Sequence, residues 1–279
     1  MNDLKNDLKK PFSLLGEQIA ESFKKISDAA NPFGSQSPIK PLKIDLSPFF
    51  RPFFKDIAKM INEAGNDAVT YIEIIVKLGY PPHLNIPIEY MRMIVRDNSE
   101  YGEEYVAQYI DELMIHFYDE KFVSEMAYEW ENLSLAKSRV HLLRSVVKCH
   151  NQGMYEASIP ALLPQFEGII VDAFDITTRM GYPKKLKHLK IFLEMKTNKI
   201  DKALEASLFE YYKKEIFAQF VSGKDFESDV SRHAILHGAD LNYGKQSNSL
   251  KLILAFDSLI SILNDASEET IQEIKSQIG

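Results

Sequence analysis

Ser231-Arg232-His233-Ala234-Ile235-Leu236-His237-Gly238 sets an arginine and a histidine with four residues between them. The glycine that follows can take the left-handed conformation that ends a helix. Asp240, Asn242 and Gly244 then supply a turn. Ser247 and Asn248, both good helix caps, open a long apolar helix from about Ser247 to Leu263. That helix carries one carboxylate, Asp257, among Leu252, Ile253, Leu254, Phe256, Leu259 and Ile260. The motif helix itself should cover roughly 229–238. Two helices and a polar turn decide the reading of this part of the chain.

Upstream, a helix is expected from about Lys202 to Phe220. Before it, Tyr155 to Phe174 is strongly apolar, with Ile159, Leu162, Leu163, Phe166, Ile169 and Ile170 at helical steps. Pro160 and Pro164 lie inside this run. Proline in a helix interior costs about 3 kcal/mol or kinks the helix, so a kink or a late start near Pro164 is expected. A helix from about Leu135 to His150 ends at Gly153. Further back, Tyr105, Tyr109, Leu113 and Phe117 line one face, and Ile86 to Val95 reads as a short helix with Pro87 in its first turn. The helical pattern begins at Pro48 and includes Phe50, Phe53, Ile57, Ile61, Val69, Ile72 and Val76, with a stop at Gly79. Leu42–Leu46 alternates, but one short strand without partners makes no sheet. Residues 31–41 hold three prolines and a glycine and read as a linker. Residues 1–30 carry an interrupted amphipathic helix.

The expected architecture is all-α, a helical bundle in three parts. These are an N-terminal helix with its Pro-rich linker (1–41), a helical domain of unknown type (42–145) and a C-terminal helical domain (146–279). Across 279 residues the hydrophobic share is 45% and the charged share 26%, an ordinary globular balance that excludes a disordered chain. The net charge of −7 gives no global attraction to nucleic acid, so any such contact must be local. A single cysteine, Cys149, excludes an internal disulfide and fits a reducing compartment. Beside Val146 and Val147 it reads as a small filler more readily than as a reactive thiol. No apolar run reaches the roughly 18 residues a membrane span needs. The first residues do not form a signal peptide. A cytoplasmic protein is expected.

Residues 146–264 resemble the HEPN superfamily. The resemblance rests on Arg232 to Gly238, the polar turn, Asn248 to Leu250 leading into Leu252–Leu263, and the upstream Tyr155-Glu156-Ala157-Ser158-Ile159-Pro160 and Gln165-Phe166-Glu167-Gly168. It implies a metal-independent endoribonuclease acting in defence, toxin–antitoxin or stress response. It also implies attack by the RNA 2′-hydroxyl, giving 2′,3′-cyclic phosphate and 5′-hydroxyl ends, and a homodimer whose motif helices form one composite cleft. An antitoxin or regulatory protein is a further implied partner. Some members of the superfamily lack catalysis and serve as nucleotide-binding or dimerisation modules, which is the alternative reading.

The chemistry suits the residue types. Histidine can give or take a proton near neutral pH, and arginine stays charged and can hold two phosphate oxygens. His237 is expected as acid/base and Arg232 as phosphate clamp. On a regular helix residues five apart are offset by about 140°, so one protomer aims the pair imperfectly. His233, one turn before His237, is either a second proton carrier or a packing histidine. A lone carboxylate in an apolar helix is costly unless paired. Asp257 is therefore expected to orient Arg232 or a motif histidine, unless it faces solvent, and Glu167 follows the same logic.

Arg179, Lys184, Lys185, Lys187 and Lys190 form a basic stretch with Tyr182 interleaved. It is either an RNA footprint or a solvated face. Other motifs fail. Gly238 to Lys245 has the wrong spacing for a phosphate-binding loop and lacks its Ser/Thr. His233 and His237 lack the intervening glutamate of the zinc-protease motif. No metal or cofactor is expected.

Overall fold

The fold is seen in a computed structural model, which describes residues 65–177, 181–195, 199–220 and 226–278. The expectations for residues 1–61, and for Arg179, lie outside these residues. Among the described residues the chain is all helix and turn, with no strand. No helix there is long and apolar enough to cross a membrane.

Helix α1 covers 65–77 and stops at Gly79, whose φ of +75° suits a residue without Cβ. After a buried loop come α2 (Ile88–Tyr101), α3 (Glu103–Ala107), α4 (Ile110–Phe117) and α5 (Glu120–Trp130). Pro87 caps α2 from outside, where its missing N–H costs nothing. The face expected from Tyr105 to Phe117 is split between α3 and α4. A 3₁₀ turn (Ser134–Arg139) leads into α6 (Val140–Asn151), and α7 follows (Tyr155–Ala173). Next come α8 (Tyr182–Glu194), α9 (Lys199–Tyr211), a π turn (Tyr212–Ile216), the short motif helix α10 (Arg232–Leu236), α11 (Gln246–Asn264) and α12 (Glu268–Ile278).

Two departures from expectation have local causes. Of the two outcomes expected at the prolines, the late start does not occur, and helix α7 begins at Tyr155. Pro160 has no N–H for the Glu156 carbonyl, and the Tyr243 hydroxyl donates to that carbonyl instead, at 3.3 Å. An outside donor thus replaces the bond that proline removes. Helix α11 has Lys245 as its cap residue, with no side-chain cap bond. Ser247 and Asn248 are buried in its first turn instead.

Helix α11 is the axis of the structure. Its residues from Ser247 to Asp257 are all buried, so it is covered on every side. It packs against α4, α5, α6 and α7. Phe256 meets Trp130 and Phe166 edge to face, at 5.2 and 5.5 Å between ring centres. One hydrophobic cluster joins Tyr71 and Ile75 of α1, Met126 of α5, Val146 of α6, Phe166 of α7 and Ile260 of α11. The helices before and after position 145 therefore share a core.

Candidate functional site

The motif helix is short and held from both sides. Ser231 caps it by accepting from the Ala234 amide at 3.2 Å, and its hydroxyl donates to the Ala218 carbonyl at 2.9 Å. Ser228 likewise donates to the Glu215 carbonyl, in the π turn, at 2.9 Å. The two serines lash the motif segment to the end of the preceding helix. At the other end the Ala239 amide reaches the Ala234 carbonyl and the Gly238 amide reaches that of Ile235. Gly238 sits at φ +72°, completing a Schellman stop. The expected helix over 229–238 is thereby cut to Arg232–Leu236, and His237 becomes its C-terminal cap residue. Asp240 accepts from the Asn242 amide at 2.8 Å and shapes the turn. Buried Asn248 donates to the carbonyls of Asp229 and Tyr243, pinning the chain on both sides of the motif.

Glu167 is brought to Arg232. The carboxylate lies 3.0 Å from Arg232 Nη2 through Oε2, and 2.5 Å from Lys185 Nζ through Oε1. Three elements meet there: α7 supplies the carboxylate, α8 the lysine and α10 the arginine. All three side chains are partly covered, with exposures of 22% for Arg232, 25% for Glu167 and 15% for Lys185. The Arg232 Nε is buried without a hydrogen-bond partner. One turn along, His233 and His237 stack with ring centres 6.0 Å apart and planes within 10°. Burial lowers the His233 pKa from its ordinary value, helped by the nearby Arg232 and His237 charges, while Glu167 acts in the opposite direction. His237 is exposed, with its ring 6.4 Å from that of Phe220.

Asp257 corrects the expectation. Its carboxylate contacts neither Arg232 nor a motif histidine, nor does it face solvent. Oδ1 accepts from Trp130 Nε1 at 2.7 Å and Oδ2 lies 2.9 Å from His83 Nε2. His83 Nδ1 is 2.8 Å from the Tyr118 hydroxyl. Burial, with the Tyr71 and Asp257 charges behind it, holds the Tyr118 hydroxyl well above its usual range, so it stays a donor. The tautomer that serves every partner has His83 Nε2 donating to Asp257 and Nδ1 accepting from Tyr118. The reason is packing. Asp257 lies on the part of α11 that faces α5 and the loop after Gly79.

The basic stretch divides. Lys185 joins the site, whereas Lys184 and Lys187 are exposed. Lys190 points to Glu194 at 3.6 Å and lines a cavity with Leu193, Ala206 and Phe209, none of which belongs to the motif. His188 is buried and bonded to the Lys184 carbonyl at 2.9 Å. Among the described residues no three His, Cys, Asp or Glu side chains converge as a metal-ligating group.

A second buried polar chain was not expected from the sequence. His150 Nδ1 lies 2.8 Å from Ser249 Oγ, which donates to Ser158 Oγ at 3.2 Å, which in turn reaches the Val146 carbonyl. Burial pushes the His150 pKa down to about 4. Ser158 and Ser249, single small polar residues in apolar helices, were its signal in the sequence. Comparison with protein-family models, with curated proteins and with solved structures finds no match.

Proposed function

We propose that this chain is a metal-independent endoribonuclease of HEPN type. The observation that carries the reading is the gathering of Arg232, His233 and His237 around one short, rigidly capped helix, with Lys185 beside the arginine. A guanidinium and an ammonium within reach of one carboxylate form a seat that suits an oxyanion of similar size. The imidazoles of His233 and His237, one turn apart, offer the acid and base that transfer of the 2′-hydroxyl proton and release of the 5′-oxygen require. His237 is the exposed one and takes the proton-transfer role; Arg232 binds the phosphodiester. A second copy completes the cleft. Leu236, Leu241 and Phe226, near the motif, are exposed apolar side chains that self-association would cover. Service in defence, toxin–antitoxin or stress response, with an antitoxin or regulator as partner, belongs to the same proposal.

The experiment is cleavage of single-stranded RNA in EDTA by wild type, Arg232→Ala and His237→Ala. Each variant should lose about 10²-fold or more of the rate, and the wild-type products should end in 2′,3′-cyclic phosphate. Equal rates in all three proteins would remove the site from the reaction. Binding of nucleotide without cleavage by any of them would favour the non-catalytic module. Sedimentation should show a dimer.

A further inference from the structure

Glu167 takes only one edge position of the Arg232 guanidinium. Its contact is to Nη2 alone, and the adjacent Nε keeps a buried N–H with no partner. A guanidinium fork binds a tetrahedral oxyanion through two donors at once, so this carboxylate is an incomplete match for it. The other carboxylate oxygen is spent on Lys185. One negative group thus sits between two positive ones, where a phosphate would engage both. All three side chains remain partly open to water, so the pairing can exchange.

We infer that Glu167 is a displaceable internal anion, seated between Arg232 and Lys185 until a phosphate group takes its place. The identity of that phosphate as an RNA phosphodiester rests on the reading proposed above. The exchange would make Lys185 a second phosphate contact, supplied by α8 rather than by the motif. It would also make the free enzyme self-masked, since Arg232 is occupied whenever substrate is absent. Arg232 would gain a partner for Nε on binding, and Glu167 would swing toward solvent.

The test compares wild type, Glu167→Gln, Lys185→Gln and the double variant in EDTA, using two probes. One is a fluorescent 2′-O-methyl RNA that cannot be cleaved by 2′-hydroxyl attack; the other is inorganic pyrophosphate, measured by calorimetry. Glutamine keeps the shape of the side chain and removes its charge. Relief of the competition should tighten both probes by about tenfold, within the usual range for two coupled ligands. Lys185→Gln should weaken both, and the double variant should fall back toward wild type. Affinity in Glu167→Gln that is unchanged or weaker for both probes overturns the inference, whether or not wild type binds and cuts RNA. Tighter pyrophosphate without any RNA binding keeps the displaceable anion and removes the nuclease reading. Thermal melts of all four proteins check the fold. Should Glu167→Gln not fold, an affinity for pyrophosphate in wild type that Lys185→Gln leaves unchanged overturns the inference by itself.

Discussion

Asp257 and Glu167 are both carboxylates on largely apolar helices, and they end in opposite situations. Asp257 is closed in. Each oxygen has one buried partner, Trp130 or His83, and His83 is tied on to Tyr118. Glu167 is half open. Its partners are two full cations, one of which keeps an unpartnered N–H. The first arrangement is saturated and gains nothing by changing. The second would be better satisfied by a different anion. A saturated buried network marks a structural joint, and an unsaturated, partly wet cluster of charges marks a place where something binds.

The sharpest way to break this contrast is to remove Asp257. Asp257→Ala strands the Trp130 and His83 donors in the core, and a broken buried network of this kind costs about 3–5 kcal/mol. Urea unfolding should show that loss, while any RNA binding per folded molecule stays near wild type. A loss under about 1 kcal/mol would mean the joint is not structural. A matching loss of binding in the folded fraction would make it part of the site after all.

Electrostatics explains how far the sequence could be read here. The rule that a carboxylate in an apolar helix must be paired holds for Glu167 and Asp257 alike. For Glu167 the expected kind of partner is also the observed one, because α7 packs on the motif helix. For Asp257 the partners lie 127 and 174 positions away, on α5 and the loop after Gly79. Helical period tells which face of a helix is buried and not which neighbour it meets. The all-α reading and α11 were legible because apolar spacing and end signals agree over many residues. The length of α10 was not, because a Schellman stop and two serine hydroxyls, rather than propensity, set its ends.

A second joint of the saturated kind has a pH signature. His150 has its folded-state pKa near 4, below the ordinary 6.5 or so of the unfolded chain. The unfolded state therefore binds the proton more readily, and protonation opposes folding. This contribution is fully present above about pH 6.5 and is lost as pH falls toward about 4. His150→Gln carries no titrating ring. The stability difference between wild type and His150→Gln should shift against wild type by about 2 kcal/mol between pH 7 and pH 5. A difference that does not move with pH would show that His150 is not buried in its neutral form.

The smallest expected effect lies inside the basic stretch, where the same contrast recurs between two lysines on one helix. Lys185 is 15% exposed and shares a carboxylate with Arg232. Lys190, five positions on, is 53% exposed and 3.6 Å from Glu194 on its own helix. An exposed pair of that spacing contributes about 0.3–0.5 kcal/mol, so Lys190→Ala should change stability by no more than that. If α8 were a diffuse RNA footprint, each lysine would add a similar share to the salt dependence of binding. If the seat is local, Lys190→Ala leaves RNA affinity and its salt slope nearly untouched, whereas Lys185→Ala lowers both. Equal losses for the two variants, measured by titration across a salt series, would spread the binding surface along the whole helix. The cluster at Glu167 would then be one contact among several.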